Sequence, residues 1–74
     1  MLVTVKLFAT FRDGRFKVEE QELPEGASVL EVIQPLNIKP EELAICLRNG
    51  KDANADTLLK EGDVLALFPP VGGG

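Results

Sequence analysis

The chain has 74 residues, 45% of them hydrophobic, with twelve acidic against eight basic side chains and a formal charge of −4, a balance that suits one small compact domain. A chain this short buries only about 60% of the surface it exposes when unfolded, so one modest core is expected and an enclosed catalytic cavity is not. No stretch gathers Lys and Arg into a phosphate-binding face, which argues against nucleic acid; no histidine and a single cysteine argue against a zinc cluster, an internal disulfide, and Ser-His or Cys-His nucleophilic chemistry.

Met1 to Lys6 lacks the layout of a signal peptide, and the longest apolar run, 64–71, is far short of the ~20 residues of a membrane span, so a cytoplasmic protein without membrane association is expected. Val3, Val5 and Leu7 alternate with Thr4 and Lys6, the pattern of a strand with one buried face, and the sequence predicts a first strand over 2–11. Asp13-Gly14 is a strong turn dipeptide and predicts a hairpin into a second strand over 16–23. Phe16 and Val18 share a face there while Leu23 has the other parity, so the strand either carries a bulge within 19–22 or ends early.

Pro24-Glu25-Gly26 ends that pattern, and Ser28 with Glu31 three residues later forms a capping box that opens a helix. Val29, Val32, Ile33 and Leu36 form one apolar stripe, but Pro35 limits the helix to about two turns. The segment 39–43 reads as a turn or one helical turn, followed by a third strand over 44–48 that ends at Asn49-Gly50. Residues 52–56 are poor in β formers and read as a loop or ragged edge strand, with Leu58 and Leu59 returning to the core. Glu61-Gly62-Asp63 is a further turn, and Val64 to Phe68 is apolar on both parities, which predicts a central strand covered on both faces. The order of elements implies an α+β fold, with a mixed sheet of four to five strands and one short helix packed on one face. If the last strand lies parallel beside the first, the C-terminus leaves from the sheet's edge into solvent.

The segment that carries chemistry is Phe68-Pro69-Pro70-Val71-Gly72-Gly73-Gly74. Pro69 and Pro70 have no N–H and a fixed φ, so they stop the ladder and project the chain in an extended direction. Residues 71–74 then reach at most roughly 13 Å, enough to thread a narrow channel that admits only backbone, a condition glycine meets. Three glycines on their own would read as a frayed end; here they follow a buried strand and a Pro-Pro stop with no polar linker.

This ending resembles that of the MoaD/ThiS-type sulfur carriers, in particular the small subunit of molybdopterin synthase. Their ending runs Phe or Leu, Pro-Pro-Val, a small residue and Gly-Gly, with Gly72 here in the small-residue position. Further matches are Leu7-Phe8-Ala9-Thr10-Phe11-Arg12, Leu23-Pro24-Glu25-Gly26-Ala27-Ser28-Val29, Asn49-Gly50 and Leu59-Lys60-Glu61-Gly62-Asp63-Val64, so the resemblance spans nearly the whole chain. It implies a β-grasp, ubiquitin-like domain over 1–71 with a flexible tail over 72–74. It also implies a cycle in which a ubiquitin-activating-type adenylating enzyme, using ATP and magnesium, joins the Gly74 carboxylate to AMP. A persulfide donor then converts it to a thiocarboxylate, which passes its sulfur to a pterin precursor in the large synthase subunit. Gly74 would be the reacting residue with Gly73 beside it, and Phe8, Phe68, Pro69, Pro70, Val71 and Gly72 the partner-binding residues. The carrier itself would hold no metal, no bound cofactor and no catalytic groups.

The sequence departs from most synthase small subunits in a shorter first hairpin loop and in Pro35. Thiamin-pathway carriers have short first hairpins but usually lack Pro-Pro before the glycines, and they remain the alternative. Two further readings stay open: a ubiquitin-like modifier joined to lysines through its C-terminus, and a plain interaction domain. Among other residues, Cys46 lies between Ile45 and Leu47 and reads as a small buried hydrophobe rather than a sulfur-handling thiol. Phe8 and Phe68 read as equally suited to core and interface, and Phe11 reads rather as core. Glu61 and Asp63 are explained as well by turn solvation as by steering of a basic partner.

Overall fold

The computed structural model describes residues 1–70; the expectations that rest on Val71, Gly72, Gly73 and Gly74 lie outside the described residues. Five strands, β1 (Leu2–Leu7), β2 (Val18–Glu22), β3 (Ile45–Arg48), β4 (Lys51–Asp52) and β5 (Val64–Phe68), form one sheet in the order β2-β1-β5-β3-β4. β1 pairs antiparallel with β2 and parallel with β5, and β3 pairs antiparallel with both β4 and β5. The helix α1 (Val29–Ile33) lies between β2 and β3 in the chain. This is the mixed sheet with one short helix expected from the sequence, in the β-grasp arrangement.

The alternation read from the sequence is the alternation of burial. Val3, Val5 and Leu7 of β1 and Leu65 and Leu67 of β5 are buried, and they cluster with Val29, Val32 and Ile33 of α1. Glu31 closes the start of α1, its carboxylate accepting the Ser28 N–H at 2.7 Å. A 3-10 turn over Gln34–Leu36 prolongs the helix past Pro35, and Asn37, with φ of 60°, ends it. The expected turn after the helix is a second 3-10 turn, Pro40–Glu42.

Five expectations need correction. The first strand stops at Leu7 rather than at Phe11, because Ala9 takes a left-handed φ of 52° and the chain coils into a 3-10 turn over Ala9–Arg12. The second strand begins at Val18 rather than at Phe16 and, of the two readings of its end, it is the early end that holds, at Glu22 and without a bulge, since Leu2 to Lys6 pair residue for residue with Glu22 to Val18. Phe16 and Leu23 pack on the core from outside that strand, which removes the conflict of parity. The third strand begins at Ile45 rather than Ala44. Leu59 reaches the core, but Leu58 is 59% exposed; what it contributes is a backbone bridge to Ser28. Finally, β5 is central but covered on one face only: Leu65 and Leu67 are buried, whereas Val64, Ala66 and Phe68 are half-buried. One five-residue helix on one side of a five-stranded sheet leaves the other side without a layer among the described residues.

Candidate functional site at the tail exit

Residues paired across a sheet share a face, so the register defines what the uncovered side displays. Phe68 stands opposite Ile45, Ala66 lies between Lys6 and Leu47, and Lys6 stands opposite Val18. Ile45 is 48% and Val18 57% exposed. The open face is thus mainly apolar around the last residues of β5, while Thr4, Glu20, Glu22 and Asp52 make its other parts polar.

Phe8 completes that surface. Its N–H donates to the Leu67 carbonyl at 3.2 Å, which carries the parallel β1–β5 pairing one residue beyond the strand and sets Phe8 beside Phe68. The two rings stack with centroids 4.3 Å apart and planes 9° from parallel. Both are half-buried, shielding each other but accessible from the open side. The bend at Ala9 then returns the chain over them: the Phe11 N–H donates to the Phe8 carbonyl at 3.1 Å, and the Arg12 Nε donates to the Leu7 carbonyl at 2.7 Å. The Arg12 guanidinium carbon sits 5.1 Å from the centre of the Phe8 ring. Phe11 points the other way and is buried in the core.

β5 is held rigidly up to this point. The Ala44 N–H donates to the Phe68 carbonyl at 3.0 Å, so the strand is paired on its β3 side to its last residue. At its start, the Asn49 N–H donates to the Val64 carbonyl at 2.8 Å, and the Asn49 Oδ1 accepts the Val64 N–H at 2.9 Å. The Asp63 carboxylate accepts from Asn49 Nδ2 at 2.9 Å and from the Lys60 N–H at 2.8 Å. Burial opposes ionisation of Asp63, but those two hydrogen bonds and the nearby charges of Arg48 and Lys60 outweigh it and hold the carboxyl below the usual carboxylate range. Pro69 is half-buried and Pro70 exposed, and neither belongs to a strand.

Of the residues singled out in the sequence, Phe8, Phe68, Pro69 and Pro70 are therefore brought together at one end of β5. Val71, Gly72, Gly73 and Gly74 lie outside the described residues. Cys46 is buried in the core, where desolvation pushes its thiol up to about 11; it is not an available thiolate. The sequence reading did not single out Arg12, Ile45 or Val18. Ile45 has the same strand parity as Leu47, a signal that becomes usable only once β3 is known to pair with β5; Arg12 carried no signal beyond its place in the Leu7–Arg12 segment.

The description "ThiS family" applies to a family model that matches residues 5–74, almost the entire chain. The chain belongs to the ThiS family. Solved structures of similar proteins agree with that assignment. A Pyrococcus furiosus chain described as molybdopterin converting factor, subunit 1, is 37% identical over 96% of this chain and 99% of that one, with a TM-score of 0.74. A complex of subunits 1 and 2 of the molybdopterin-converting factor of Helicobacter pylori contains a chain 30% identical over the full length of both, with a TM-score of 0.63. Small archaeal modifier protein 1 of Haloferax volcanii is 25% identical over 95% of this chain and 98% of that one, with a TM-score of 0.76. No curated protein matches the sequence. Membership of the ThiS family places the chain among the ubiquitin-like sulfur carriers. Among the described residues, no helix is long and apolar enough to cross a membrane.

Proposed function

We propose that this ThiS-family chain is the sulfur-carrying small subunit of a molybdopterin-type synthase, acting in the cytoplasm through the carboxylate of Gly74. The observation that carries the reading is the joint between fold and tail: a central strand held by pairing to Phe68, the Pro69-Pro70 stop, and then a sequence without side chains beyond Val71. Rigid pairing fixes where the tail begins, which lowers the entropy lost when a partner receives it. The similarity to chains described as subunit 1 of molybdopterin converting factor, one of them in complex with subunit 2, supports a large subunit as the receiving partner.

In this reading an adenylating enzyme of the ubiquitin-activating type, with ATP and magnesium, joins a Gly74 carboxylate oxygen to AMP and releases pyrophosphate. That converts a poor electrophile into an acyl group with a good leaving group. A persulfide sulfur displaces AMP to give an acyl disulfide, a second thiol attacks the donor-side sulfur of that S–S bond and forms a disulfide with the donor, and the released thiocarboxylate sulfur attacks the pterin precursor bound by the large subunit. This chain supplies the reacting terminus, with Gly73 and Gly72 narrow enough to enter a channel, while Phe8, Phe68, Pro69, Pro70 and Val71 seat it against the partner. The catalytic groups belong to the partners.

One observation favours a second reading: the likeness to an archaeal modifier protein suggests attack on the same acyl-adenylate by a lysine amine, giving an isopeptide. Intact-mass analysis of the protein recovered from its host separates the two. Exchange of one terminal oxygen for sulfur is expected for the carrier, and stable conjugates for the modifier. Deleting Gly74 should abolish sulfur transfer while leaving the unfolding curve unchanged; sulfur transfer by the shortened chain at the normal rate would refute the carrier reading.

A further inference from the structure

Arg12 differs from the other arginines in how its guanidinium is used. Arg15 donates from Nε to the Leu36 carbonyl and from Nη1 to the Phe11 carbonyl, and Arg48 donates from Nη1 to the Leu58 carbonyl. Arg12 uses only Nε, in its 2.7 Å bond to the Leu7 carbonyl. Among the described residues, neither of its terminal nitrogens has a hydrogen-bond partner and no carboxylate lies within the 4.0 Å of a salt bridge. The chain is acidic overall, yet Arg12 pairs with no acidic side chain among the described residues. It is nonetheless fixed in place, anchored through Nε and laid over the Phe8 ring that stacks on Phe68, at the rim of the apolar face beside the tail exit.

We propose that Arg12 is a docking residue that pairs through its two terminal nitrogens with a carboxylate on the sulfur-accepting large subunit. A planar guanidinium with two parallel N–H donors fits a carboxylate bidentately, and one already immobilised against a ring loses little freedom when the pair forms. Its place at the edge of an apolar patch is that of a charged rim contact, which steers association and fixes register around an apolar centre. The large subunit is the occupant because the similar Helicobacter pylori chain is found in complex with subunit 2. The inference rests on the carrier reading and adds to it the chemistry of the partner surface.

The test titrates the full-length chain against the large subunit of the same host at salt concentrations from about 20 to about 300 mM, comparing wild type, Arg12→Gln, Arg12→Lys and Phe68→Ala. Arg12→Gln should bind about tenfold more weakly at low salt, chiefly through slower association, and its affinity should depend less on salt than that of the wild type. Arg12→Lys should retain much of the salt dependence while losing the bidentate geometry. All variants are compared by thermal unfolding, and Arg12 is exposed enough for its substitution to leave the fold intact. The proposal is overturned if Arg12→Gln binds as the wild type does, with the same salt slope, while Phe68→Ala binds poorly. It is overturned equally if Arg12→Gln weakens binding only to the adenylating enzyme. If the wild type itself does not bind the large subunit, the carrier reading fails, and this inference with it.

Discussion

Asp63 is the buried charge on which the start of the exit strand depends, and its environment gives that dependence a direction in pH. Its carboxylate accepts the Asn49 side-chain amide and the Lys60 N–H, and its own carbonyl accepts the Thr4 N–H at 2.9 Å. Because the folded state holds the carboxyl below its ordinary range, the charge contributes stability above the unfolded pKa. That contribution is lost as pH falls through the lower, folded value. Asp63→Asn should therefore destabilise the protein by roughly 1–3 kcal/mol near neutral pH, the cost of leaving two donors poorly matched. In acid the deficit should shrink toward zero, since the wild type is then uncharged at the same position. Urea unfolding of both proteins at neutral and at strongly acidic pH checks this. An equal deficit at both would show that the side chain acts by shape alone. Cys46 has the opposite bias, since burial in the core favours its neutral thiol.

The hairpin between β3 and β4 shows how far a single element can be read from local sequence. Asn49 and Gly50 both adopt positive φ, 54° and 81°, the two-residue turn that the dipeptide announces. Asn49 also reaches outside the hairpin, binding the Val64 N–H and the Asp63 carboxylate, so it ties β3 to the start of β5. A methyl group added at Gly50 would meet nothing within 4 Å, so Gly50→Ala should cost only the backbone strain, about 1 kcal/mol. Asn49→Ala should cost more, about 1–3 kcal/mol, because it strips two side-chain hydrogen bonds, one of them to the buried Asp63 carboxylate, as well as the turn preference. Denaturant titration of the two variants decides between them, and a larger loss for Gly50→Ala would show that the turn, not the tie to β5, is what matters. Turn and cap were legible because their causes lie within four residues: Asn49-Gly50, Glu61-Gly62-Asp63 and the Ser28–Glu31 pair all stand where expected. The strand ends at Leu7 and Val18 were not, because they follow from the Ala9 bend and from Phe16 packing across the chain, neither of which leaves a periodic trace.

For the whole molecule, what the sequence could not reveal was which apolar strand face would find a cover. Val64 to Phe68 is apolar on both parities, and nothing local distinguishes Leu67, wholly buried beneath α1, from Phe68 on the open side. The distinction comes from the shortness of the helix, which has enough surface to cover one side of the sheet only. The fold class and the Phe8–Phe68 end of the site were therefore readable, but the extent of the open face through Ile45 and Val18 required the pairing register. This division predicts opposite rankings for two neighbouring substitutions. Leu67→Ala empties space in the core and should cost about 2–5 kcal/mol, a large share of the roughly 5–15 kcal/mol that holds a domain together. With a urea slope near 1 kcal/mol per molar, its unfolding midpoint should fall by about 2 M or more. Phe68→Ala removes a half-buried ring and its stacking on Phe8, worth about 0.5–1.5 kcal/mol beyond the area lost, so its midpoint should fall less. If the proposed function holds, the order should reverse in binding to the large subunit, because Phe68 lies on the open face, where a partner can reach it, while Leu67 is buried. If Phe68→Ala unfolds as readily as Leu67→Ala and the surviving folded protein binds normally, the open face is a second core surface rather than the seat of a partner.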